Sequence, residues 1–129
     1  MLNTINEFLW SAGGFLVVLG ILIFIHELGH FTVAKLMGIR IETFSLGFGP
    51  RIFGFRRGDT EYRLSVIPLG GYVKMLGESP DEELKGSKEE FQSRTKFERF
   101  LVLVMGPVVN VVFAYCLYNK TRMAGKVLL

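Results

Sequence analysis

His26, Glu27 and His30 have the residue types and spacing to do chemistry, and they include the only two histidines of this 129-residue chain. On a helix of 3.6 residues per turn, side chains four positions apart share a face, so both imidazoles can reach one ion. Glu27 follows the first histidine directly. It stands beside such an ion, where a carboxylate can take a proton from water and deliver it to a leaving amine. The HExxH spacing points to zinc, which lowers the pKa of water from 15.7 to about 7. A lone histidine here would read as an interfacial residue meeting headgroups and water, whereas the complete pattern points to metal. Catalytic zinc normally takes three protein ligands and keeps a position for water, and the chain has no third histidine.

The motif ends a run that looks built for lipid. Phe8 to Ile25 is 18 residues without a charge and Phe100 to Tyr118 is 19, each close to what a hydrocarbon core about 30 Å thick requires. Two membrane helices follow, 8–34 carrying the motif and 100–118. A bare carboxylate at that depth costs on the order of 3 kcal/mol, so Glu27 should face protein or a water-filled cavity. A cleaved signal peptide is the competing reading of the first run; no Lys or Arg precedes it and no clear cleavage site follows. The Gly13, Gly14 and Gly20 positions read as helix-packing sites.

Of 15 Lys and Arg, 12 fall between Lys35 and Arg99, which places the central segment in the cytoplasm and Met1 outside; Lys120, Arg122 and Lys126 run against this. Ten acidic residues are mixed among those twelve, so no nucleic-acid surface is expected. Cys116, the single cysteine, can form no internal disulfide.

Between the spans, 41–76 is rich in Gly, Phe, Val and Ile. Tyr62, Leu64 and Val66 alternate with Glu61, Arg63 and Ser65, a strand pattern. The turn Arg57-Gly58-Asp59-Thr60 predicts a β-hairpin. Two roles stay open for this region: a small sheet covering the mouth of the site, or an exposed edge that takes a substrate segment as an extra strand. Residues 77–99 turn polar, and Ser79 to Glu82 and Ser87 to Glu90 each read as a capping box, predicting short surface helices. A basic tail, 119–129, closes the chain. The expected fold class is therefore membrane α-helical with a β-rich insert.

HELGH, FSLGFGP, IPLGGYVKM and GPVVN occur in that order. Together they resemble the site-2 protease family of intramembrane zinc metalloproteases, particularly its bacterial regulator-of-sigma-E branch, over roughly 8–118. The resemblance implies peptide-bond hydrolysis in regulated intramembrane proteolysis, in a multi-pass protein of the bacterial inner membrane. Substrates would be transmembrane proteins such as anti-sigma factors. It assigns Zn2+ to His26 and His30 and activation of water to Glu27. It also puts Gly47, Phe48 and Gly49 near HELGH as substrate-binding residues. By residue chemistry Asn110 serves equally as helix–helix glue or as a cavity amide; the resemblance favours the cavity, where the amide meets substrate. The family's third ligand is an aspartate of an LDG motif; this chain has none, nor any aspartate after Asp81. The partners implied are the bilayer, a transmembrane substrate and the missing carboxy-terminal spans. A chain of this kind is expected to be inactive alone, and the alternative reading is a non-enzymatic membrane fragment or pseudoprotease that binds substrate or partner helices.

Overall fold

In a computed structural model, which describes residues 1–128, the order of elements is α1 (Leu2–Met37), β1 (Ile41–Arg57), β2 (Thr60–Met75) and α2 (Lys96–Leu128). Two long apolar helices thus flank an antiparallel hairpin. At 1.5 Å per residue, the 36 residues of α1 extend about 54 Å, well beyond the hydrocarbon thickness. Gly38 stops it with φ 79°, and the Ile39 N–H closes on the Ala34 carbonyl at 2.9 Å. The Arg94 guanidinium also donates to the Met37 carbonyl. α2 runs on past the apolar stretch through the basic tail to Leu128, with Pro107 inside it.

The hairpin turns at Gly58 and Asp59, as the sequence predicts, with Gly58 at φ 63°. Both strands then bend. Ile41 to Leu46 pairs antiparallel with Met75 to Gly71, while Thr43 to Leu46 also pairs with Glu61 to Leu64 on its other side. Arg51 to Arg57 pairs with Ser65 to Thr60. The start of β1 is therefore enclosed by both halves of β2, and Gly71–Met75 forms one outer edge. Gly47 (φ 84°) and Gly49 (φ 82°) lie within the continuous β1.

The core collects where α1 meets this sheet: Ala34, Ile39, Ile41, Phe44, Val73, Met75, Phe91 and Val102 are buried together. Thr60, also buried, donates its hydroxyl to the Ile41 carbonyl at 2.8 Å. The rest of both helices presents apolar surface outward. Phe8, Trp10, Phe15, Val111 and Tyr115 are all more than half exposed.

One expectation is corrected. Residues 77–95 contain turns and bends but no helix. The Ser–Glu pairs do form single turns, with the Glu82 N–H on the Ser79 carbonyl and the Glu90 N–H on the Ser87 carbonyl, both at 3.2 Å. Their carboxylates turn elsewhere: Glu82 accepts from the Gly77 N–H at 2.8 Å and Glu90 from the Lys85 N–H at 2.9 Å. With Pro80 and Gly86 so close together, neither turn has room to repay helix nucleation. The working capping box lies at Thr95 and Glu98, whose side chains accept reciprocally from each other's N–H at 3.3 and 3.1 Å and start α2. Gly13, Gly14 and Gly20 have no helix against them among the described residues, where a Cβ at any of them would meet nothing within 4 Å.

Candidate metal centre

Helical spacing brings the His26 and His30 side chains together, and α2 fixes how they meet. The His30 Nδ1 lies 2.8 Å from the Val102 carbonyl, which can only accept, so Nδ1 carries the proton and Nε2 presents a free lone pair. That Nε2 stands 3.1 Å from the Nε2 of His26, with the rings nearly perpendicular at 84°. Two nitrogens bound at 2.0–2.1 Å to one tetrahedral zinc would be roughly 3.3–3.4 Å apart. The pair is set as two zinc ligands would be.

Space for the ion is secured by Gly106. A Cβ there would lie 2.6 Å from the His30 Nε2 and 2.8 Å from the His26 Cε1. Beside it, a Cβ on Gly29 would strike Val109 Cγ2 at 2.6 Å and the Met105 carbonyl oxygen at 2.7 Å. The two helices approach backbone to backbone here, and glycine on each side is what permits it. Zinc therefore fits these residues as part of its ligand set. Among the described residues no cluster of three or more His, Cys, Asp or Glu is placed to hold a metal, so His26 and His30 form an incomplete set.

Glu27 borders two cavities. One, of about 320 Å³, has His26, Asn110 and the aliphatic residues Leu19, Leu22 and Ile23 in its wall. The other, of about 200 Å³, brings Glu27 and His30 together with the edge segment at Gly71–Val73, Met75 and Glu78. The Asn110 Oδ1 is buried with no hydrogen-bond partner, so its placement beside His26 and Glu27 leaves a polar group ready for a ligand.

Gly47, Phe48 and Gly49 stand further from the histidines. Gly47 lines a larger apolar groove of about 450 Å³, between the sheet and the α1 stretch from Leu16 to Phe24. Phe48 stacks on Tyr72 with centroids 6.3 Å apart and lies against Gly70; Gly49 packs on Ile67. The sheet residue that reaches Glu27 is Gly71, where a Cβ would meet Ile23 Cγ2 at 3.3 Å and Glu27 Cγ at 3.5 Å. Its sequence signal was the Gly70-Gly71 pair, which reads only as a break in a strand. Glu78 was missed altogether. Its position follows from the left-handed turn at Gly77, φ 68°, and nothing in a polar linker singles it out.

Residues 14–124 match peptidase family M50. The regulator of sigma-E protease RseP of Escherichia coli is 44% identical over 116 residues, covering 87% of this chain and 25% of that protein. Protease RseP of Yersinia pestis is 46% identical over 116 residues, 85% of this chain and 25% of that protein. A Clostridium perfringens protein provisionally named a zinc metalloprotease is 43% identical over 110 residues, 85% of this chain and 32% of that protein. The chain thus spans about a quarter to a third of the length of these relatives.

Proposed function

We propose that this chain, which belongs to peptidase family M50, the site-2 protease family, is the amino-terminal part of a zinc-dependent endopeptidase that cuts membrane proteins within or beside the bilayer. The observation that carries this reading is the convergence of the two Nε2 atoms at 3.1 Å in front of a glycine-lined space. His26 and His30 hold the ion, and Val102 fixes the His30 tautomer. When bound, zinc supplies the Lewis acidity that lets water give up a proton near neutral pH. The Glu27 carboxylate takes that proton and passes it to the nitrogen of the breaking peptide bond. Asn110 offers its unpartnered amide to the substrate peptide across the cavity it shares with Glu27. Gly47, Phe48 and Gly49 line or adjoin the route by which a membrane segment reaches the sheet. The Gly71–Met75 edge, nearest the site, takes the segment as an added strand, because main-chain pairing is indifferent to side-chain identity.

Two histidines leave zinc short of protein ligands, so the 129-residue chain by itself is inactive and binds metal weakly. A carboxylate from further spans, packed on the α2 face bearing Gly106 and Asn110, completes the site. The test is to purify this chain in detergent with zinc, alone and co-expressed with the remaining portion of a full-length relative. The completed enzyme should cleave a model single-span substrate; Glu27→Gln should keep zinc and lose cleavage, while His26→Ala and His30→Ala should lose zinc. Robust Glu27-dependent cleavage by the chain alone would mean that a residue already present completes the ligand set. The non-enzymatic reading, binding of substrate or partner helices, is favoured if zinc is absent from both preparations.

The twelve basic residues between the two uncharged runs support an inner-membrane protein with its hairpin in the cytoplasm. Gly86 is exposed in the connector, with open space around it. A cysteine placed there should react with impermeant reagents only once the cytoplasmic face is opened; labelling of intact cells would reverse the orientation.

A further inference from the structure

Glu78 shares a cavity of about 200 Å³ with Glu27 and His30, yet the site chemistry gives it no task. It is held firmly. Its Oε2 accepts from the Met75 N–H at 3.0 Å, its own N–H donates to the Met75 carbonyl at 3.3 Å, and its carbonyl accepts from Gln92 Nε2 at 2.8 Å. A neutral side chain would cap the Met75 amide as well, so the hydrogen bond does not account for the charge. Among the described residues, ion pairs engage Glu42, Asp59, Glu61 and Glu98; of the acidic residues outside these pairs, Glu27 and Glu78 are the two that border this cavity. Zinc at the histidines would stand beside Glu27, which leaves Glu78 as the carboxylate of this small, half-buried space that still wants a positive charge.

The position says where such a charge comes from. Gly71, Tyr72, Val73 and Met75, the outer edge of the sheet, border the same cavity, and the chain reaches Glu78 three residues after that edge ends. A segment paired along the edge passes the metal centre and brings its connector-side flank to Glu78. Membrane segments carry Lys and Arg on their cytoplasmic flank. Resting on the protease reading and on a cytoplasmic hairpin, we propose that Glu78 is a specificity-determining residue that receives a basic side chain from the flank of the substrate.

The test needs no turnover. This chain carrying Glu27→Gln, in detergent with zinc, is titrated with synthetic single-span segments that differ only in a Lys-Lys or Gln-Gln connector-side flank. The Lys flank should bind at least about fivefold tighter at low salt, with the ratio shrinking as salt screens the pair. Glu78→Gln keeps an oxygen for the Met75 amide and should bring the ratio to about one; Glu78→Lys should favour a Glu-Glu flank instead. Equal binding of the two flanks by the parent chain overturns the proposal. So does an equal loss for both flanks in Glu78→Gln, which marks a structural role. Cleavage by the completed enzyme is scored separately: cleavage without flank preference removes Glu78's role and leaves the protease, whereas Glu78-dependent preference without cleavage removes the protease reading alone.

Discussion

The two ends of α1 belong to one helix and behave as if built for different solvents. From Leu2 to about Phe24 its side chains stand largely exposed, a Cβ on any of its glycines would meet nothing within 4 Å, and only the stretch from Leu16 onward borders the sheet's apolar groove and the cavity toward Asn110. From His26 to Met37 it is pressed between α2 and the sheet, Gly29 and Ala34 are buried, and glycine has become a steric necessity. The first end is long and apolar enough to cross a membrane, a solvent in which exposed hydrocarbon would cost nothing. The second end is held by the same burial that stabilises a water-soluble domain. The candidate metal centre sits at the seam, where a polar cavity and an aliphatic one both open on Glu27.

Paired substitutions break this contrast most directly in the core. Ile41 is fully buried in the core cluster that includes Ala34 and Val102, so Ile41→Ala should destabilise the fold by about 2–5 kcal/mol. Ile21→Ala, at a half-exposed position, should cost at most about 0.5 kcal/mol. Unfolding in mixed detergents, followed by circular dichroism, measures both, and equal costs would mean that the upper part of α1 has a packing partner.

Glycine sharpens the comparison at the next level. Gly106→Ala would set a methyl 2.6 Å from the His30 ring, whose retreat the Val102 carbonyl restricts. About 1–3 kcal/mol of overpacking and at least about a tenfold loss of zinc affinity are expected. Gly13→Ala has open space around it and should leave zinc affinity unchanged while stabilising the helix by up to about 1 kcal/mol. Zinc titration of the two variants side by side decides it.

The smallest effect lies in the connector, which belongs with the packed half. Burial pushes the Glu90 carboxyl up, but hydrogen bonds from the Lys85 N–H, the Ser93 hydroxyl and the Ser87 and Gly86 N–H groups outweigh it and hold the group below its ordinary value of 4.5. The unfolded chain therefore takes up the proton first as pH falls. The stability Glu90 contributes is present above about pH 4.5 and is lost as pH drops through the lower, folded value. Glu90→Gln should flatten that part of the stability profile between about pH 6 and pH 3 and leave the slope above it unchanged.

The features legible in the sequence were those with a short period. His26, Glu27 and His30 declare themselves because one helical turn sets their geometry, and the hairpin because Gly58-Asp59 sits between alternating strands. What closes the site was hidden by distance along the chain. Gly106 lies 76 residues from His30, and nothing local distinguishes its contact from any other glycine in a span, as Gly13 and Gly14 show. The connector misled for another reason. Its Ser–Glu pairs have the capping pattern, yet a carboxylate serves any nearby free amide, and Gly77 and Lys85 claimed those of Glu82 and Glu90 before a helix could.

The bond from His30 to the Val102 carbonyl spans 72 residues, and that separation has a meaning during biosynthesis. A ribosome adding about 5–20 residues per second needs roughly 4–14 s to make the intervening chain. Throughout that interval α1 already carries both histidines, while the carbonyl that selects the proton-bearing nitrogen and the glycine that clears space for an ion do not yet exist. The helix therefore spends its first seconds with imidazoles free to tautomerise, and the pair of histidines is set for an ion only with the arrival of α2.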